Sequence, residues 1–558
     1  MPVSFERIPS NIRVPLFYAE MSNREAAYLQ MLQPALIIGP MLESGRAEPL
    51  EPVLVTDAQQ AYGLFGAGSI IADMIASYRR NDNFGTVWAI PQLTPEAATA
   101  AALTDTFTGV ATAPATMGLY IGGDRYAITV AAGDDAATIA QKIVEAVNAE
   151  PFSLVTAALG DGGKASAAPA PAITSPQPNS TQLPPAAGAT GGGARATRRA
   201  APRADGSAAV TYTARNRGAI GNELLRTWNF RGVAGGESIP RGVSVTGGNG
   251  NGNGNGGNFA GGAGLPDLRP VIAAMGDEEY DFICNPYTDG ASLDLLSEEL
   301  NDVTGRWAWS RQIYGHVFSA RMGDLQGLVE FGRTRNDPHA SVLGFAHSPT
   351  VSWRRAAALC AQAAGSLRND PPRPLQTLAM VGVMAPKRGY RFRLGDSNTL
   401  LYSGVATEME SGGAAAIQRC VTTYRVNVWN QPDPSWLDVQ TPATLTYIIR
   451  FLRNRILQKF PRHKLADDGT PFGLGQAIVT PRIIRAELVA AYSELIAMGI
   501  VENMDAFKQF LIVERDPVDP NRVNVLLPPD LVNQLRIFAM LVEFRLNYSA
   551  AATAALAA

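Results

Sequence analysis

The sequence predicts a mixed α/β protein: a mostly parallel α/β core interrupted by a β-rich inserted domain, then a C-terminal α+β domain, with extended arms at both chain ends. Three observations carry this reading. Short apolar runs alternate with helix-length stretches over 35–91 and again over 267–367, the rhythm of a parallel sheet covered on both faces. Between about 93 and 262 that rhythm stops, and the composition turns to Ala, Gly, Thr and Pro. At the two ends, 3–18 and 534–548 read as extended strands.

The elements follow in order. Residues 3–18 form an extended arm of β-branched and aromatic residues in which Pro9 and Pro15 block any helix. Residues 35–39 form an apolar strand. Asp57 caps a helix through Tyr62–Phe65, a second helix spans 69–80, and a strand spans 86–91. In the insert, 117–149 reads as a hairpin across Gly122-Gly123-Asp124 and a helix capped near Asp134-Asp135. Residues 208–223 read as a strand and turn. The tracts 161–207 and 247–264 are low-complexity loops by composition. From 266 onward, helices 267–275, 291–304, 323–332 and 352–367 alternate with strands 280–287, 312–319 and 340–347. Strands around 399–406 and 420–428 precede the loop 430–436. Helices 442–460 and 481–498, a hairpin across 514–522 and the apolar segment 534–548 complete the chain. The domain boundaries are therefore an arm at 1–20, a core from 21–92 and 265–437, an insert at 93–264, a C-terminal domain at 438–533, and a strand arm with a ragged Ala-rich end at 534–558.

At 558 residues the chain is too long for one compact core. A composition of 46% hydrophobic and 17% charged residues excludes wholesale disorder. A formal net charge of -3 gives no global reason to bind nucleic acid or an acidic membrane. Cys284, Cys360 and Cys420 make neither a disulfide framework nor a CxxC site, which suits a reducing compartment. The N-terminus carries charge where a signal peptide needs an apolar core. No apolar run reaches the roughly 18 residues of a membrane span; the best candidate, 486–500, is broken by Glu487 and Glu494. The expectation is a soluble intracellular product with no membrane insertion.

Chemistry-bearing motifs are absent. His316, His339, His347 and His463 carry no HExxH or CxxC company, and ordinary histidines explain them best. There is no GxSxG elbow or Walker loop, and the GxGxxG at Gly252, Gly254 and Gly257 is trivial inside a Gly/Asn repeat. No catalytic residue, metal or cofactor is expected. One charge pattern stands out. In 442–464, Leu445, Ile448, Ile449, Leu452 and Ile456 form an apolar stripe. Arg450, Arg453, Arg455, Lys459, Arg462 and Lys464 supply six cations with no acid among them. A solvated helix usually mixes signs, so an acidic partner stands level with an ordinary solvated face as the reading of this pattern.

The segments NPYTD (285–289), RPLQTL (373–378), NTLLYSGVA (398–406), VTTYRVNVWNQPDPSWLDV (421–439) and DPVDPNRVNVLLPPDLVNQLRIF (516–538) occur in this order. Together they resemble the Mu-like branch of contractile phage tail sheath proteins, and the insert resembles the outward-facing domain many of these carry. The resemblance implies a subtilisin-like core fold without catalysis, since no Ser-His-Asp set can be assembled. It also implies a virion protein, assembled in the host cytoplasm as a helical stack of rings, usually of six subunits, around a tail tube. Contraction would drive the tube through the host envelope. The implied partners are further copies of the chain, the tail tube protein, and baseplate and tail terminator proteins, with no direct contact to nucleic acid. On this view the basic helix face meets the tube. The two ends exchange strands between subunits through Val3, Phe5, Ile8, Ile12, Val14 and Leu16 at one end. At the other they do so through Leu535, Ile537, Phe538, Leu541, Val542 and Phe544.

Overall fold

The computed structural model describes residues 33–160, 206–247, 257–473 and 475–544. The expected N-terminal arm and most of the two low-complexity tracts lie outside the described residues.

The chain opens with β1 (Ala35–Pro40), β2 (Val53–Leu54), α1 (Ala58–Phe65), α2 (Ile70–Asn81) and β3 (Val87–Gln92). Asp57 caps α1 by accepting from the Gln60 N–H, and Ser69 caps α2 through the Ala72 N–H. The next stretch holds β4 (Ala100–Gly109), β5 (Ala115–Ile121), β6 (Asp124–Val130), α3 (Ala136–Asn148), β7 (Val155–Gly160), β8 (Ser207–Arg217), β9 (Leu225–Trp228), β10 (Val243–Gly247) and β11 (Gly257–Asn258). Then come α4 (Arg269–Met275), β12 (Phe282–Cys284), α5 (Gly290–Leu300), β13 (His316–Met322), α6 (Leu325–Arg333), β14 (Ala340–Phe345) and α7 (Ser352–Asn369). They lead into β15 (Ala379–Met384), α8 (Leu394–Tyr402), β16 (Ala406–Ser411) and β17 (Ala414–Arg419). The last elements are α9 (Gln440–Lys459), β18 (Lys464–Leu465), β19 (Ile478–Val479), α10 (Pro481–Ala497), β20 (Val501–Glu502), α11 (Met504–Phe510), β21 (Ile512–Arg515), β22 (Val523–Leu526) and β23 (Asp530–Leu531).

The principal sheet has nine strands in the order β15-β17-β16-β14-β13-β12-β1-β3-β2. Its six central strands, β16 through β3, pair in parallel, and antiparallel partners close both edges. β1 and β14 are buried at every position, as continuous apolar runs between helical layers require. α7 packs against both the sheet and α2. Its run of Ala356, Ala357, Ala358, Ala361, Ala363 and Ala364, all fully buried, allows that close approach.

Between β3 and α4 the chain builds two four-stranded antiparallel sheets, β10-β4-β8-β7 and β11-β9-β5-β6. The hairpin turn falls at Gly122 and Gly123, whose φ values of 64° and 104° lie in the region where glycine is unstrained. This double-sheet unit shares one continuous apolar core with the principal sheet. Polar contacts reinforce the junction. Arg354, at the start of α7, donates to Asp73 of α2 at 2.7–2.8 Å and to both oxygens of Asp124 at 2.9 Å. Trp353 donates to Asp73 at 2.9 Å, and Tyr62 stacks on Phe152 at 4.1 Å. Ser352 donates to Glu223, whose enclosed carboxyl is pushed up to about 7 by burial.

The C-terminal helices have a separate apolar core around Ile448, Leu452, Leu488, Tyr492, Leu495 and Phe507. Tyr492 and Phe507 stack at 3.7 Å. All three cysteines are buried.

Two expectations are corrected here. Residues 399–402 end a helix rather than start a strand: Asp396 accepts the Arg393 N–H at 2.9 Å and holds the first turn of α8. Gly404, at φ 73°, then turns the chain into β16. The second strand is β17 at 414–419, not 420–428, and the latter residues lie outside any sheet among the described residues.

Candidate functional site

α9 carries four of the six cations, Arg462 lies in the turn after it and Lys464 in β18, and the six fall in three environments. Arg450 is buried: it donates to Asp281 at 2.5 Å, pairs with Glu279 at 3.1 Å, and lies over the Tyr314 ring at 5.4 Å. Burial pushes the Asp281 carboxyl up to about 6, against the pull of that guanidinium. Arg455 pairs with Glu487 at 2.6 Å and Glu494 at 2.9 Å, and Lys459 pairs with Glu487 as well. Desolvation raises the Glu487 carboxyl, but its bonds to Arg455 and Lys459 outweigh that and hold it below its ordinary value. Arg453, Arg462 and Lys464 remain exposed.

The one-sign face therefore finds acids inside this chain, on the loop before β12 and on α10. Arg450 is corrected out of the tube-facing set, because a buried, doubly paired guanidinium cannot meet a second molecule without leaving two carboxylates behind. The apolar stripe also shifts. Ile448 and Leu452 are buried, but Ile449 is 40% exposed. α9 is gripped from two sides, by α10 and by the segment around Asp281 and Tyr314, so Arg450 lies on a buried side.

At the chain end, the segment after β23 is extended, and the described residues 532–544 form no strand or helix. Leu535, Ile537, Phe538, Leu541, Val542 and Phe544 are all exposed, with Leu541 at 85%. This apolar run covers no part of its own subunit's core. The chain before it also builds two short ladders, β21-β22 and β20-β23, each of only two strands. Ile512, Val525 and Leu526 on the first are exposed. Two-stranded ladders present unpaired backbone groups on both outer edges. Val3, Phe5, Ile8, Ile12, Val14 and Leu16 fall outside the described residues.

Sequence reasoning missed one pairing of chemical interest. His316 Nε2 lies 2.9 Å from Ser341 Oγ because β13 and β14 run in parallel with Phe318 opposite Ser341. Both residues are buried, and burial pushes His316 down to about 3. A base held so weakly basic, beside a hydroxyl that no substrate reaches, acts as packing. His339 is likewise enclosed, stacked on Trp307 at 4.2 Å and bonded to Asp302 at 3.2 Å. Among the described residues no group of three or more His, Cys, Asp or Glu could hold a metal ion. No helix among them is long and apolar enough to cross a membrane.

Residues 261–423 match the model of the phage tail sheath protein central domain, and 431–545 match that of the phage tail sheath C-terminal domain. The Mu-like prophage FluMu tail sheath protein of Haemophilus influenzae is 36% identical over 549 residues, covering 98% of this chain and 100% of the relative. Among solved structures, the sheath tail protein of Desulfitobacterium hafniense is 13% identical with a TM-score of 0.45, covering 94% of this chain and 97% of that one. That of Listeria innocua is 11% identical with a TM-score of 0.43, covering 90% and 92%.

Proposed function

Because the chain belongs to the phage tail sheath protein family, a structural component of the virion, we propose that it polymerises as stacked rings of six around a tail tube. The sheath then contracts to drive the tube through the host envelope. Baseplate and tail terminator proteins would bound the stack at its two ends. The observation that carries this is the bare apolar run from Leu535 to Phe544, in a subunit that also holds short two-stranded ladders. A segment that covers nothing in its own subunit fits a strand added to a neighbour's sheet, where backbone pairing supplies affinity. Roughly ten hydrogen bonds per arm, each worth ~1 kcal/mol net, make a tether that survives rotation of the body. The N-terminal arm 3–18 would add a second strand in the same way.

The exposed Arg453, Arg462 and Lys464 are the cations left to face an acidic tube. Each such pair contributes about 0–1 kcal/mol, so the attachment is firm only through repetition along the stack. The double-sheet unit, domain 93–264, would face outward.

Electron microscopy of the purified chain tests the proposal. Striated tubes are expected from the full chain. A chain ending at Arg536, or one lacking residues 1–18, should stay monomeric with an unchanged melting temperature. Normal tubes from either truncation would overturn strand exchange.

A further inference from the structure

The last described segment inverts the usual logic of burial. Its hydrophobic side chains point to solvent, while its one cation, Arg536, is tucked in with its side chain 12% exposed. After β23 the chain leaves the C-terminal helices and crosses a polar cleft of about 390 Å³ lined by Ser435, Thr441, Thr444 and Asn533. On the far side Arg536 Nη2 donates to Asp438 at 3.0 Å, Gln440 at 3.1 Å and Gln534 at 2.9 Å. Its Nη1 donates to the Gln376 side-chain Oε1 at 3.4 Å. Gln376, just before β15, also donates to the Leu535 carbonyl at 3.4 Å. Asp438 is fixed in turn by Arg419 at the end of β17, with bonds of 3.0 and 2.8 Å.

Beyond this point no side chain from 537 to 544 makes a hydrogen bond or ion pair among the described residues, and the hydrophobic ones are mostly exposed. We propose that Arg536 is a positioning residue: its guanidinium pins the root of the C-terminal arm to the nine-stranded body, so the arm swings from Arg536 and not from β23. The inference rests on reading 534–548 as an arm. Without the pin the free segment gains the five residues 532–536. At about 3.3 Å per residue that lengthens its reach by roughly 16 Å. The arm tip then samples a wider volume, and its effective concentration at a neighbour's sheet falls by about twofold.

A nitroxide placed on Phe538→Cys in the unpolymerised chain reads this out, since the native thiols are buried. The expected spectrum is hindered in the otherwise native chain and fast in Arg536→Ala. Arg536→Lys, which keeps the charge but loses the fork, should be intermediate. Arg536→Ala should also form tubes about twofold more slowly at equal concentration. An Arg536→Ala spectrum identical to that of the native background would overturn the pin, whatever the tubes do. Normal tubes from the chain ending at Arg536 would instead overturn the arm and leave the label result standing.

Discussion

The double-sheet unit and the C-terminal helices are fastened to the nine-stranded body in different ways. The first shares its apolar core with the body, and Arg354, Trp353 and Ser352 add hydrogen bonds around that seam. The second keeps its own core, and its links to the body include two guanidinium–carboxylate clusters, Arg450 with Asp281 and Arg419 with Asp438, to which Arg536 adds. A shared core is close-packed and resists sliding. Directional ion pairs over a polar cleft hold one geometry yet open as a unit. The comparison therefore puts the expected hinge of the subunit at the C-terminal helices.

Paired substitutions test this most sharply. Arg354→Ala leaves Asp73 and Asp124 without their shared cation, and Arg450→Ala leaves the buried Asp281 alone. Breaking such pairs costs about 3–5 kcal/mol. Calorimetry should show Arg354→Ala lowering the main transition, while Arg450→Ala splits off an earlier one that carries the C-terminal helices. A single lowered transition in both variants would remove the distinction.

Acid should tighten both joints. Glu223 rises from an ordinary 4.5 to about 7 in the fold, and Asp281 from 3.8 to about 6. In each window the folded chain binds the extra proton, so stability falls as pH rises from about 4.5 to 7 for Glu223 and from about 4 to 6 for Asp281. Glu223→Gln should flatten that decline in the main transition only, as read by melting between pH 5 and 7.5. A replacement of 93–264 by a short Gly/Ser bridge should still assemble, but with a lower melting temperature, because Phe152 and Asp124 are lost from the seam. The smallest effect belongs to Arg453→Glu. Stability should stay within about 0.5 kcal/mol, while co-sedimentation with tail tubes weakens in a salt-dependent way.

Much of the body was legible in the sequence because its strands are short apolar runs and its helices carry local caps such as Asp57, Ser69 and Asp135. What escaped had no local signal. β4 pairs with β8 about a hundred residues later, and it opens on Ala100-Ala101-Ala102, a residue type strands disfavour. The Leu400-Leu401-Tyr402 run suggested a strand, but the Asp396 cap and Gly404 turn decide for a helix. On α9 the cations were plain, but their acids were not: Asp281 lies 169 positions away. A one-sign helix face shows that a counter-charge exists without saying which molecule carries it.

The buried cysteines have a consequence for durability. A virion component works after its host has lysed, in aerated surroundings, with copies of the same chain crowded along one particle. An exposed thiol repeated at every subunit would be ready to cross-link neighbours and freeze the stack. Here Cys420 is pushed up to about 12 by burial and Cys360 is raised as well. The nucleophilic thiolate is thus scarce and shielded, and oxygen finds no surface sulfur through which to join one copy to the next.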